Sequence, residues 1–269
     1  MQAVLYALFT WYFSTGVILY LDGLPARTFR WTLLGATVAL AASLHGLLAA
    51  SADATPGGAY RAFTFGVVAW AWQEVAFLMG FVTGPRRRAC AHGCGGWRHF
   101  GHAVEAVLYH ELAIAAGAAL VVAASWGGAN QVGAWTYMLL WGMRLSAKLN
   151  VFLGVRNLNE EFLPAHMEFL KGFLARKPMN LLFPLSVTAA TVLAVALVQR
   201  AVAPGAGAFA ATGFTFLATM AVLGLVEHWF LMLPLPFAQL WRWGMRSHRM
   251  RAAYPGSAPI HGPSPTTAP

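Results

Sequence analysis

His102, Glu105, His110 and Glu111 fall within ten residues, in the stretch HAVEAVLYHE. Imidazole and carboxylate side chains this close can ligate a metal, relay protons or hold the central ion of a tetrapyrrole. An apolar run follows them directly. Ionisable residues also interrupt other apolar runs: Glu74, Arg144, Lys148, and the adjacent pair Glu227 and His228. A charge at the centre of a bilayer costs at least ~2.5–3.5 kcal/mol on insertion scales, so each of these groups needs a compensating partner.

The elements that carry them follow from composition. Of 269 residues, 58% are hydrophobic and 10% are charged, against roughly 25% charged in soluble domains. Runs of about twenty apolar residues predict an all-α, polytopic membrane bundle of about seven transmembrane helices. The spans are expected near 2–21, 31–50, 60–82, 100–125, 132–153, 179–198 and 207–235. The N-terminal stretch has no basic n-region and reads as the first span rather than a signal peptide. Residues 1–250 are expected to form one transmembrane domain, and the Pro-rich stretch 251–269 a disordered cytoplasmic tail. No inverted repeat of the kind transporters use is visible.

Basic residues set the expected orientation. Fourteen of the eighteen Lys and Arg fall on one side: Arg27 and Arg30, four in loop 3–4, four in loop 5–6, and four in the C-terminal segment. The other side has Arg61 and Arg200. The positive-inside rule then puts the N-terminus outside and the C-terminus in the cytoplasm. The net charge of +9 is therefore a topology signal with some affinity for anionic lipid, and needs no nucleic acid. Trp241 and Trp243 beside Arg242 read as an interfacial anchor.

At 100° per residue, His102 and Glu105 share one stripe of span four, while Glu111 points away from it and His110 lies between. Trp70, Gln73, Glu74 and Phe77 share a face of span three; Trp141, Arg144 and Lys148 share one of span five. Three readings stay open. The first is a buried network in which Glu74, Glu111 or Glu227 pairs with Arg144 and Lys148. The second is a transition-metal site drawn from Glu74, His102, Glu105, Glu111, Glu227 and His228. In the third, His102, His110 or His228 ligates a tetrapyrrole, with the 36 aromatic residues (18 Phe, 11 Trp and 7 Tyr) available for packing.

Two further segments stand out. In loop 3–4, CAHGC places Cys90 and Cys94 around His92, with His99 after. That spacing permits a metal site but lacks paired zinc knuckles, so a flexible loop is the plainer reading. In loop 5–6, around residues 163–178 (LPAHMEFLKGFLARKP), Phe162, His166, Phe169, Leu170, Phe173 and Leu174 recur at helical spacing, with Lys171, Arg176 and Lys177 as the polar counterpart. They predict a short amphipathic cytoplasmic surface helix, or else an ordinary packed loop helix.

The stretch Lys148 to Pro184, KLNVFLGVRNLNEEFLPAHMEFLKGFLARKPMNLLFP, resembles the PuhE-type photosynthetic complex assembly proteins of purple photosynthetic bacteria. In that family LNxFLGVxNLNEEFLP leads through a short basic helix to RKPMNLLFP. The matching positions are Leu149, Asn150, Phe152 to Val155, Asn157 to Pro164, and Arg176 to Pro184. The similar hydrophobic layout extends the likeness to residues 1 to about 250; the CAHGC loop is unmatched.

The resemblance implies a multi-pass protein of the bacterial inner, photosynthetic (intracytoplasmic) membrane. It implies a chaperone-like role in assembling the reaction centre and light-harvesting complex, by way of bacteriochlorophyll supply or handling. Membrane lipid, complex subunits or pigment-synthesis proteins would be its partners. It carries over no catalytic residue. The alternative is a metal-dependent oxidase or cyclase acting on a pigment precursor. Asn157, Asn159, Glu160, Glu161 and His166 either cap the surface helix or dock a partner's basic loop; Glu161 with His166 could also hold a metal.

Overall fold

The computed structural model describes residues 1–90, 93–158, 160–233 and 237–248, without the side chains of Glu161, Phe237 and Ala238. His92, Asn159 and the tail 251–269 expected to be disordered lie outside the described residues.

The chain is all-helical. Seven long helices are α1 (Gln2–Asp22), α2 (Phe29–Ala50), α3 (Pro56–Leu78), α4 (Gly96–Ser125), α5 (Val132–Leu153), α6 (Leu182–Ala201) and α7 (Ala208–Phe230). Among the described residues the only strand-like pairing is an isolated bridge, Val155 to Arg176. Five helices are long and apolar enough to cross a membrane: α1, α2 with its preceding turn, α4, α6 and α7. α3 and α5 match them in length, at 23 and 22 residues. They are less apolar because Gln73 and Glu74 lie on one, and Arg144 and Lys148 on the other.

α3 is the central helix, packed against α1, α2, α4, α5 and α7. Its start is fixed locally: Pro56 occupies the first turn, and the Thr55 hydroxyl accepts from the Gly58 amide at 3.1 Å. The core around it holds Leu47, Phe63, Ile114, Tyr137 and Phe216, with the Phe63 and Phe216 rings stacked at 4.3 Å. The Tyr137 hydroxyl donates to the Ile114 carbonyl at 3.0 Å, tying α5 to α4. The outside is as apolar as the inside: Val38, Leu185 and Val192 are each more than 60% exposed. That pattern suits a hydrocarbon surrounding, in which helices satisfy their own backbones.

Loop 5–6 differs from the expected surface helix. Ala165–Phe173 is a 3-10 helix, and its period of three buries Met167, Leu170 and Phe173 rather than a 3.6-residue stripe. Those side chains pack on Phe77 of α3 and Ala106 of α4, so the segment covers the bundle's own end.

Pro184 falls in the first turn of α6, where its missing N–H breaks no helical bond. Trp241 is 1% exposed, and its indole donates to the Tyr12 carbonyl at 2.9 Å. The segment after α7 thus returns along α1.

Candidate functional site

Glu74, Glu111 and Glu227 arrive from α3, α4 and α7 at one cavity of about 590 Å³, which Arg144 and Lys148 of α5 also line. The rest of its wall is chiefly aromatic and aliphatic, including Trp11, Trp70, Phe77, Phe100 and Phe152. Each acid has a partner. Arg144 Nη2 donates to Glu74 at 2.9 Å, Lys148 Nζ to Glu111 at 2.6 Å, and the Trp11 indole to Glu227 at 3.0 Å. The Lys148 ammonium also stands 5.8 Å from the Phe77 ring centre. Helical spacing produces the arrangement: Arg144 and Lys148 are four residues apart and share a face.

The pairs are half-buried, with side-chain exposure of 13% for Glu74 and 39% for Arg144. Removing one partner leaves the other charge facing an apolar wall, which costs far more than the pair itself contributes. A cavity of this kind suits a mostly apolar ligand with a few polar groups. The same side chains, when the cavity is occupied, can hydrogen-bond such groups without any free charge being created.

The four polar residues of HAVEAVLYHE go to four different places. Only Glu111 reaches the cavity. His102 turns to the loop before α4, where its Nδ1 lies 3.2 Å from Cys90 Sγ and 3.4 Å from Cys94 Sγ. Glu105 is exposed, 3.4 Å from Arg86. His110 is fully buried and stacks on Phe77 at 4.2 Å, and among the described residues neither of its ring nitrogens has a hydrogen-bond partner. The loop crosses α4 here: the His110 amide donates to the Thr83 carbonyl at 2.9 Å. Gly84 is required for this approach, since a Cβ would lie 1.9 Å from the Glu105 carbonyl.

His228 is buried beside Glu227 but faces elsewhere. Its Nδ1 lies 2.8 Å from the Gly224 carbonyl and its Nε2 2.9 Å from the Ser146 hydroxyl. A carbonyl can only accept, so Nδ1 carries the proton and Nε2 accepts from Ser146. Both nitrogens are then occupied by protein. Among the described residues, the acids of the cavity do not bring three metal-ligating atoms together. The one cluster that does is Cys90, Cys94 and His99. Desolvation and the neighbouring Cys94 thiol push the Cys90 thiol up, against the pull of Arg86.

The polar residues of loop 5–6 mostly bind the protein to itself. Asn157 donates from its amide to the Phe230 carbonyl at 3.0 Å and also to Leu233, while its backbone N–H meets Leu231 at 2.9 Å. Glu160 pairs with Arg176 at 3.3 Å in an exposed position, and His166 lies against the Phe29 ring at 5.8 Å. Asn159 and the Glu161 side chain lie outside what is described. Asn180 is a clamp that composition gave no sign of. Its amide donates to the Asn150 and Gly154 carbonyls at 3.2 and 2.8 Å, and its oxygen accepts from the Phe183 amide at 3.0 Å. Gly154 has φ +121°, so the turn between these partners excludes other residues. Trp11 is the other residue that spacing did not suggest; an indole in an apolar run carries no signal that it holds a carboxylate.

A family model described as a protein of unknown function (DUF3623) matches residues 1–252. A relative from Rhodobacter capsulatus, an uncharacterized 30.4 kDa protein in the puhA 5' region, is 36% identical over 247 residues, covering 89% of each chain. No solved structure matches the chain. Both the length of the match and the identity place this chain in the DUF3623 family, which it therefore belongs to.

Proposed function

We propose that this protein is an integral membrane factor that assists assembly of the photosynthetic reaction centre and light-harvesting complex. It would do so by holding bacteriochlorophyll or a precursor. The observation that carries the reading is the 590 Å³ cavity, apolar and aromatic in wall, with its acids matched by Arg144, Lys148 and Trp11. The relative's position beside puhA, a photosynthesis gene, supports the same direction, as does the resemblance of Lys148–Pro184 to PuhE-type assembly proteins.

All seven helices cross the membrane in this reading, with the N-terminus outside and the basic loops and C-terminus in the cytoplasm. α3 then meets few lipid tails, because other helices surround it, while α5 turns Trp135, Met138 and Leu145 outward and its charges to the cavity. The membrane is the bacterial inner, photosynthetic membrane. The protein needs no catalytic group: binding, shielding from water and release at a partner subunit suffice. His228 and Asn157 serve the scaffold, and the exposed Glu160 and His166 edge of loop 5–6 is where a subunit would dock.

Deleting the coding sequence in a pigment-forming host tests this. Reaction-centre and light-harvesting absorbance should fall several-fold while transcripts of the complex subunits stay constant, and the wild-type chain should restore it. Unchanged absorbance in the deletion strain would contradict the proposal.

A further inference from the structure

His99 and His102 stand in the first two turns of α4, three residues apart and hence on one face. Cys90 and Cys94 belong to the loop that leads into that helix and fold back onto the same face. His99 Nδ1 lies 3.3 Å from Cys90 Sγ, and His102 Nδ1 lies 3.2 and 3.4 Å from Cys90 and Cys94 Sγ. The ligand atoms of Cys90, Cys94 and His99 all fall within 4.8 Å of one another. The two cysteines are free thiols.

Hydrogen bonding alone accounts poorly for this cluster. Cys90 sulfur faces two imidazole nitrogens but has a single proton to give, and N–H to sulfur contacts are weak. A metal accounts for it directly. With Zn–S near 2.3 Å and Zn–N near 2.05 Å, the sulfur-to-nitrogen edge of a tetrahedron is roughly 3.6 Å. The three observed contacts lie within a few tenths of an ångström of that edge.

We propose that Cys90, Cys94 and His99 form a site for one thiophilic divalent ion of the zinc class, with His102, whose Nδ1 already touches both thiols, turning in as the fourth ligand. Two soft thiolates and two imidazoles select zinc over magnesium or calcium. Two thiolates also neutralise the ion, so no net charge is added. With His102 as the fourth ligand no open position would remain, as in a structural site. Its place in the fold says what it fastens. The His99 ring stacks on Phe152 of α5 at 5.5 Å and meets Phe173 of the 3-10 helix at 5.5 Å. Phe100, Ala103, Phe152 and Phe173 line the large cavity. The ion would lock the loop and the start of α4 as one wall of that cavity. The spacing, C-x3-C-x4-H-x2-H, is more compact than paired knuckles, and the helix turn is what brings its second half into register. This inference does not depend on what the cavity binds.

The full chain, purified in detergent under reducing conditions without chelator, should carry close to one zinc per chain by elemental analysis. After chelation, titration with Co2+ should give the sulfur-to-cobalt charge-transfer band and the strong visible bands of tetrahedral cobalt. Cys94→Ser and His102→Gln should each weaken binding by more than ~100-fold, since even outer-shell partners cost 10–100-fold. Glu168→Gln, an exposed residue elsewhere, should bind as wild type, and helical circular dichroism should show every variant folded. Chelated wild-type chain that develops no cobalt bands would overturn the proposal. So would metal retained by a folded Cys90→Ser/Cys94→Ser chain, or a Cys90–Cys94 disulfide in protein kept reduced throughout.

Discussion

Arg144 of α5 donates to Glu74 of α3 at 2.9 Å, on the wall of the cavity that both residues line. The pair joins the two helices that are least apolar, and it explains how both can sit in the middle of the bundle. Glu74→Gln should leave Arg144 unmatched and cost about 2–3 kcal/mol, the range for a lost bond to a charged group. Exchanging the pair, Glu74→Arg with Arg144→Glu, should recover part of that loss. Unfolding in detergent mixtures measures both. A double exchange no better than the worse single variant would contradict the pairing.

Trp11 and Glu227 make a sharper test of the same wall. Trp11→Phe keeps the apolar surface but removes the indole donor, stranding a buried carboxylate, and should destabilise by about 1–3 kcal/mol. Glu227→Gln retains an oxygen acceptor for the indole and should cost less than Trp11→Phe. The opposite order in thermal unfolding would mean that the carboxylate has another partner.

Asn180 holds three backbone groups from two elements. Asn180→Ala should cost about 2–4 kcal/mol, at roughly 1 kcal/mol for each of the three net bonds. Ser146→Ala, which removes only the hydroxyl that His228 accepts from, should cost about 1 kcal/mol. Equal midpoints for the two variants would contradict the clamp.

Asp53 gives a pH-dependent check outside the spans. Its carboxylate accepts from the Thr55 amide at 3.0 Å and pairs with Arg61. Thr55 first, and Arg61 after it, hold this carboxyl below the ordinary value. A lowered folded value means that its contribution is complete above the unfolded pKa of about 3.9 and disappears as pH falls through the folded one. The stability difference between wild type and Asp53→Ala should therefore shrink below pH ~4. A difference constant with pH would contradict this.

Helices were legible in the sequence wherever hydrophobic length decided the matter. The span expected at 2–21 is Gln2–Asp22, and that at 132–153 is Val132–Leu153. Ends were less legible where a cap or a proline intervened. α3 begins at Pro56, four residues before the run looked apolar, because Thr55 caps it. The pairing of Glu74, Glu111 or Glu227 with Arg144 and Lys148 followed from helical period and the cost of a lone charge, and all five line one cavity. Helical period could not distinguish His228, which bonds Ser146 and Gly224, from a free ligand, because that depends on side chains of two other turns. The Cys90 and Cys94 loop was ambiguous for a related reason: spacing placed His102 away from Glu111 but did not reveal that it turns toward the thiols.

The cavity is the centre of the account, and pigment occupancy tests it most directly. The chain is purified in mild detergent from a membrane that makes bacteriochlorophyll, and its visible and near-infrared absorption is compared with that of Ala147→Trp, which fills the cavity from α5. Wild type should carry near-stoichiometric pigment or precursor, and a folded Ala147→Trp chain several-fold less. Colourless wild type, or equal pigment in both, would contradict the account.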